Sequence, residues 1–207
     1  MEFYQGDTVS ESFQFLDPDG LNIRFTSGIN EPTIGDIVRD GGTGTAKLVG
    51  ILLLDGSWAA GDAKGKLYLA NKLGEDFSAG IISVQGGDAI GTIAGNCSEY
   101  FNLTGYNILF TGKSDIDMND DDAEFRCSNF VYPDYFNKIT IDSATTGEII
   151  LELTYRTNEG GTQGKVGSYS YDFLIYYQDE NDEVVDCKTL NQATITCKQD
   201  VTRGSGL

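Results

Sequence analysis

The feature that most constrains the fold is an alternation of apolar and polar residues that recurs along almost the whole chain. Runs such as "SESFQFLD", "NKITIDS", "EIILELTYR" and "DFLIYY" place β-branched and aromatic residues at every second position, which is the period of a β-strand. They are separated by "DPDG", "TTGE", "NEGG" and "DENDE", whose residues favour tight turns. Only three prolines occur, and no segment keeps a helical apolar period over a dozen residues. The sequence therefore predicts an all-β fold.

Charge and the absence of histidine narrow the functions that such a fold could carry. The 207 residues contain 32 acidic and 14 basic side chains, a formal net charge of −18. Nucleic acid and anionic lipid bind to clusters of Lys and Arg, so we expect neither a nucleic-acid nor a membrane partner. Without histidine, Ser-His-Asp catalysis, Cys-His catalysis and histidine metal sites are excluded. Nothing in the sequence positions one carboxylate against another for glycoside hydrolysis, and we expect a protein that is not an enzyme.

A glycine-rich segment in the first half of the chain differs in composition from its flanks. Residues 41–95 contain 13 of the 26 glycines and are nearly neutral, whereas the flanks hold most of the acidic excess. Such a change predicts a separate unit of about four to six short strands joined by glycine turns. The only tryptophan, Trp58, lies in this segment. We expect it to cover one end of a small sheet; an exposed Trp58 would instead anchor a ligand or a partner.

The densest aromatic stretch is "GSYSYDFLIYY", residues 167–177. Alternation places Tyr169, Tyr171 and Phe173 on one face of a strand that is almost wholly apolar, while the other face is mixed. A strand of this kind packs its apolar face into a core. We therefore interpret these three residues as core residues rather than as a platform of rings that binds sugar. The spacing is also typical of the penultimate strand of an immunoglobulin-like sandwich, in which a tyrosine in the position of Tyr169 hydrogen-bonds to the preceding corner.

The centre of the glycine-rich segment reads Gly56-Ser57-Trp58-Ala59-Ala60-Gly61-Asp62-Ala63-Lys64-Gly65, between "FTSGINEPTIGDIV" and "DFSAGIISVQGG". On these three elements, residues 24–96 resemble a module common in bacteriophage virion proteins, whose middle element is Gly-Thr/Ser-Trp-Ala-x-Gly-Asp-Ala-x-Gly. The third element departs from that pattern, because two residues separate Gly74 and Phe77. The resemblance implies a virion protein but does not fix its position in the particle.

The flanks carry a second set of motifs, whose order resembles the immunoglobulin-like N-terminal domain of phage baseplate upper proteins. The matching residues are Gly6-Asp7, Asp17-x-Asp19-Gly20, Thr146-Gly147-x-Ile149, Gly167-x-Tyr169-x-Tyr171-x-Phe173 and Val201-Thr202-Arg203. In that family an Asn-Leu-Thr-Gly-like stretch follows the Asp-x-Asp-Gly turn closely, whereas here the glycine-rich module lies before Asn102-Leu103-Thr104-Gly105. The resemblance thus implies an immunoglobulin-like β-sandwich, residues 1–23 and 97–207, with an inserted small glycine-rich β-module at 24–96. Insertion at an exposed turn costs little free energy.

Together these resemblances imply a non-enzymatic virion structural protein. It would attach to the tail or baseplate, or decorate the capsid, through contacts with other phage structural proteins. It would be assembled in the host cytoplasm and be present as a homo-oligomer or in multiple copies in the virion. The alternative is an adhesion module of the phage tail that binds host glycans through exposed tyrosine or tryptophan. A saturable sugar affinity that is lost in Trp58→Ala would favour the alternative.

Acidic residues recur at alternate positions in "SDIDMNDDDAEF", where Asp115, Asp117, Asn119 and Asp121 resemble the start of a calcium-binding loop. The sixth and twelfth positions are not the Gly and Glu of an EF-hand. We interpret the segment as a solvated acidic loop, with calcium bound by these four residues as the alternative, and we expect no other cofactor.

Four cysteines, Cys97, Cys127, Cys187 and Cys197, lack the Cys-x-x-Cys spacing of a zinc site. A hairpin centred near Gln192 would place Cys187 opposite Cys197, within reach of a disulfide if the environment is oxidising. The alternative is buried free thiols in a protein made in a reducing cytosol.

Overall fold

The computed structural model describes residues 2–4, 8–115, 117–153 and 166–198, and these residues are almost entirely β-structure. They form fifteen strands and one 3-10 helix, Asp120–Asp122. The all-β prediction is confirmed. Within the described residues, no helix has the length and apolar character needed to cross a membrane. The chain divides into two compact units, the first comprising Met1–Phe15, Leu103–Tyr177 and Asp186–Leu207 and the second Leu16–Asn102 and Gln178–Val185.

The first unit is built on two sheets. The larger sheet has the strand order β1 (Glu2–Tyr4), β15 (Val184–Lys198), β14 (Gly167–Gln178), β9 (Asn107–Lys113), β10 (Phe125–Ser128) and β11 (Phe136–Asn137). The smaller sheet has the order β12 (Ile139–Ser143), β13 (Glu148–Leu153) and β2 (Val9–Gln14). Most neighbours are antiparallel, but β1 runs parallel to β15 and β11 runs parallel to β10.

These two sheets pack face to face as a β-sandwich. The ring of Phe13 on β2 lies 4.9 Å from the ring of Phe173 on β14. The ring of Phe110 on β9 lies 5.1 Å from that of Phe173. Phe110 and Phe173 are fully buried, and burial of each such ring contributes about 1.5–3 kcal/mol to folding. The sandwich is therefore held by an aromatic layer, while the narrower immunoglobulin-like assignment stays a prediction.

Strand β14 supplies the centre of that layer. Tyr169 and Phe173 are buried and Tyr171 is half-buried. The ring of Tyr169 stands edge-on to that of Phe125, with 5.1 Å between their centroids. The opposite face of β14 is less exposed than alternation alone suggests, since Tyr176 is buried too. The corner hydrogen bond expected for the Tyr169 hydroxyl stays a prediction.

Six strands of the second unit close into a barrel. Their order around it is β3 (Asn22–Gly28), β6 (Ala63–Leu73), β5 (Thr45–Asp55), β4 (Ile37–Arg39), β7 (Gly80–Val84) and β8 (Ala89–Ile93). Closure pairs each of these strands on both sides, which protects their edges. The barrel has its own apolar core, to which Phe25, Leu48, Leu67, Phe77 and Ile82 contribute.

The second unit extends beyond the predicted module of residues 24–96 at both ends. Its two ends lie side by side, because Leu16 forms an antiparallel bridge with Tyr100, and Asn22 forms another with Ser98. The backbone of Asn22 is also paired with Tyr68 of β6. Hydrogen bonds of this kind attach the flanking residues to the barrel.

The predicted hairpin near Gln192 is wrong, and with it the pairing of Cys187 with Cys197. Both cysteines lie on the single strand β15, ten residues apart. In an extended strand this separation is about 33 Å, far beyond the Cα distance that a disulfide allows. All four cysteines are free thiols. Two of the motifs used in the resemblance, Gly6-Asp7 and Val201-Thr202-Arg203, lie outside the described residues.

Candidate functional site

The motif from Gly56 to Gly65 covers the turn between β5 and β6 and the first three residues of β6. The Asp62 carboxylate accepts a hydrogen bond from the Ser57 N–H at 2.8 Å, and Gly56 has a positive φ of 68°. A Cβ on Gly56 would lie 2.5 Å from the carbonyl oxygen of Asp62. Only glycine avoids both this contact and the left-handed backbone strain. The spacing of the motif is therefore that of a tight turn closed by its own aspartate.

Trp58 is carried by this turn onto the barrel. Its ring is stacked on that of Phe25, with 5.0 Å between the centroids and 14° between the planes. The side chain is half-buried and packs against the barrel core. Gly28 leaves the space that the ring occupies, since a Cβ there would lie 2.6 Å from Trp58 Cζ3. One face of the indole is thus used by the barrel itself.

A buried charged cluster lies within the second unit. Lys66 Nζ is 3.3 Å from Asp17 Oδ2, and neither side chain has any solvent exposure. Asn22 Nδ2 donates to the same Asp17 oxygen at 3.2 Å. The ammonium group also lies 3.7 Å from the centroid of the Phe101 ring, a cation–π contact. The cluster joins four segments of the unit through side chains, and this long-range pairing leaves no local sequence signal.

The four residues of the calcium hypothesis lie in the loop after β9. Asp115 Oδ1 accepts the Asp117 N–H at 3.0 Å, and the Asn119 carbonyl accepts the Asp122 N–H at 3.0 Å. Asp115, Asp117, Asn119 and Asp121 are all exposed. In the described part of the chain, no three His, Cys, Asp or Glu side chains converge as metal ligands would. Calcium binding by this loop stays a prediction.

A pocket of about 230 Å³ lies in the first unit, beside β9, β14 and β15. It is lined in part by Thr111, Lys113, Asp172 and Thr194. Its charged groups already have partners: Asp172 accepts a hydrogen bond from Thr111 Oγ1 at 2.6 Å, and Lys113 Nζ is 2.5 Å from Asp120. The volume is below the range of about 300–1,000 Å³ typical of sites for drug-sized ligands. The geometry assigns no ligand to it.

Two of the four cysteines, Cys97 and Cys127, are poor nucleophiles. Burial raises the pKa of the Cys127 thiol to about 12 and that of Cys97 to about 11. At neutral pH both thiols are protonated, and the thiolate is the reactive form. Cys187 is exposed, whereas Cys197 is buried.

The loop between β10 and β11, which sequence reasoning missed, presents apolar side chains to solvent. Its sequence, "NFVYPDY" (residues 129–135), contains a Pro-Asp turn flanked by aromatic residues, and this signal could have identified it. Val131 is 91% exposed and Tyr132 is 39% exposed. Burial raises the pKa of the Tyr135 hydroxyl in this loop, and the charges of Asp120 and Asp121 in the 3-10 helix add to the shift.

Comparison with known proteins adds no family. No protein-family model matches this chain, and no curated protein matches it either.

Proposed function

We propose that this chain is a non-enzymatic structural protein of a bacteriophage virion. In this proposal it attaches to the tail or baseplate, or decorates the capsid, through contacts with other structural proteins, and it is present in multiple copies. The proposal rests on the two resemblances of its sequence, to an inserted virion module and to a baseplate sandwich domain. In this proposal the chain carries out no reaction of its own.

The observation that carries the proposal is the packing of the module's motif. Gly56 and Asp62 close the turn, and Trp58 is stacked on Phe25. Each of these residues has a folding role that accounts for its place in the motif. A motif that specifies a stable small barrel suits a protein whose role is to occupy a fixed place in a particle. It favours a structural role over glycan binding through Trp58, because the stacking of the indole on Phe25 already accounts for the residue.

Mass spectrometry of purified particles tests the proposal. Particles of the phage that encodes this chain would be separated into heads and tails, and the amount of the chain measured in each. We expect it in one of the two fractions at a fixed copy number relative to the major protein of that fraction. Absence from purified particles would refute the proposal, whichever fraction is measured.

A binding assay with host polysaccharide tests the alternative. The purified chain would be titrated with polysaccharide, in parallel with Trp58→Ala and with Trp58→Phe, which keeps a ring on Phe25. We expect no saturable binding by any of the three. Saturable binding by the unaltered chain that both variants lose, while thermal unfolding shows them still folded, would instead support a glycan-binding adhesion module.

A further inference from the structure

The loop between β10 and β11 has its tip fixed by a tight turn. The Tyr135 N–H donates to the Tyr132 carbonyl at 3.1 Å, and Asp134 has a φ of 62°. Pro133 at the second position and a positive φ at the third are the features of a type II turn. Proline removes backbone freedom before binding, and aspartate tolerates the left-handed region better than most residues. Val131, Tyr132 and Pro133 are therefore exposed in one defined arrangement.

The base of this loop is held as firmly as its tip. The Asn129 side chain accepts the Ile108 N–H at 2.7 Å and donates to the Tyr106 carbonyl at 3.2 Å. Ser128 Oγ donates to the Phe130 carbonyl at 2.5 Å. A loop that is ordered before it binds loses little conformational entropy when it binds, and this favours affinity.

Aromatic contacts connect the exposed tip to the sheet beneath it. The ring of Tyr132 lies 5.5 Å from that of Phe130 and 5.3 Å from that of Tyr135. Phe130 in turn lies 6.2 Å from the buried Tyr176 of β14. Tyrosine backed in this way supplies a large, rigid contact area, and tyrosine is enriched among the residues that dominate binding energy at protein interfaces.

Of the charged side chains that act on Tyr135 of this loop, two are acidic and one is basic. Burial raises the pKa of Tyr135 to about 12, and Asp120 and Asp121 add to this shift, whereas Arg126 opposes it. Asp120 and Asp121 are both exposed, and Asp120 is paired with Lys113 Nζ at 2.5 Å. The Arg126 guanidinium is 5.9 Å from the centroid of the same ring, and Asp134 is exposed at the turn. A second copy of this chain would bring like charges together, since the net charge of the chain is −18.

We propose that these residues form a docking surface for a partner protein that has an apolar cleft rimmed by Lys and Arg. The acidic–aromatic surface, as we name it, comprises Asp121, Val131, Tyr132, Pro133 and Asp134. Val131 and Tyr132 enter the cleft, and the carboxylates of Asp121 and Asp134 face the basic rim. Charge complementarity selects the partner and speeds its association, while the buried aromatic contact supplies most of the affinity. The identity of that partner as another virion protein rests on the proposed function; the surface and its chemistry do not.

Peptide selection on the purified full chain tests the surface without knowledge of the partner. A yeast-displayed library of random dodecapeptides would be panned on the immobilised chain. Bound peptides would then be titrated with the chain, with Val131→Ser/Tyr132→Ser, and with the control Tyr4→Ser/Val166→Ser. The control changes the same two residue types at half-exposed positions of the same unit.

We expect the selected peptides to contain an aliphatic or aromatic residue flanked by Lys and Arg. Their affinity should fall at least about tenfold in the loop variant, remain unchanged in the control, and weaken as salt is raised. Peptides that bind the loop variant as tightly as the unaltered chain, or that lack basic residues, would overturn the proposal. Both variants change exposed side chains, and matching thermal unfolding curves would verify that each is folded.

Incorporation into particles separates this inference from the proposed function. Phage that carry the loop variant would be purified and the chain quantified beside phage that carry the control. Loss of the loop variant alone supports the surface, and full incorporation of it overturns the surface. If the unaltered chain is itself absent from particles, the proposed function fails, and the peptide titration decides the surface independently.

Discussion

Replacing Lys66 by methionine removes one charge from the fully buried pair and keeps most of the volume of the side chain. Asp17 then remains buried as a carboxylate without its ammonium partner. It keeps two hydrogen bonds, from the Asp19 N–H at 3.0 Å and from Asn22 Nδ2 at 3.2 Å. Breaking a buried ion pair costs about 3–5 kcal/mol, and the two remaining donors place this case near the lower end. We expect the free energy of unfolding of the second unit to fall by about 3 kcal/mol.

Trp58 provides the assay. It is the only tryptophan, and it packs on the barrel core, so its fluorescence reports unfolding of the second unit. Urea titrations of the chain and of Lys66→Met give the difference in unfolding free energy from the shift in midpoint at constant slope. Lys64→Met is a matched control on the same strand, because Lys64 pairs with Asp55 at 2.7 Å at an exposed site. Lys64→Met should lower the free energy of unfolding by less than about 1 kcal/mol.

The double variant Asp17→Asn/Lys66→Met distinguishes an unpaired charge from lost packing. With both charges gone, we expect most of the lost stability to return, since neutral replacements of a buried pair are often close to neutral in energy. A cost of less than about 1 kcal/mol for Lys66→Met alone would refute the reasoning. So would a double variant that is no more stable than the single one.

Three further changes have defined outcomes. Gly65→Ala should destabilise the barrel by about 1–3 kcal/mol in the same fluorescence assay, because the added Cβ would overlap the carbonyl oxygen of Leu52. An unchanged free energy of unfolding would show that β5 and β6 can separate. Tyr106→Phe removes the 2.6 Å hydrogen bond to the buried Asp186 carboxylate and should cost about 1.5–3 kcal/mol in unfolding monitored by circular dichroism, whereas no loss would contradict this pairing. A thiol reagent at pH 8 should modify the exposed Cys187 within the dead time for folded protein and Cys127 only after unfolding; rapid modification of both would contradict the burial of Cys127.

The β-class of the fold follows from the sequence because strand alternation is a local signal. The inner face of β14 and the turn at Gly56 could be predicted in the same way. Both depend on residues that are close together in the sequence: alternating apolar residues in β14, and a glycine that adopts a positive φ in the turn. The glycine-rich composition of residues 41–95 likewise predicted a separate structural unit. The barrel that contains this segment has an apolar core of its own.

The remaining features depend on contacts between distant residues. Lys66 lies in "KGKLYL", where alternation gives no reason to bury a lysine, and its partner Asp17 is 49 residues away. The hairpin predicted near Gln192 failed for a similar reason. Strand β15 lies beside β14 in the sheet and stays extended through a stretch that has only weak turn residues. The exposed loop at Val131 contains a single tight turn, and a single turn has no apolar–polar alternation that would predict it.

The bridge between Leu16 and Tyr100 has a consequence for how the whole chain can fold. Bridged Cα atoms in antiparallel strands lie about 4.5–5.5 Å apart, so a folded barrel holds its two ends at the spacing of a short turn. Before the barrel forms, the same ends are joined by a flexible segment of about eighty residues, and closing it costs about 3 kcal/mol more than closing a four-residue turn. If the barrel folds first, this segment is already closed. Association of the residues on either side of it then carries no further loop-closure cost. In polymer terms, the inserted unit then acts on the rest of the chain as a short turn, and a short linker between residues 16 and 100 could replace it.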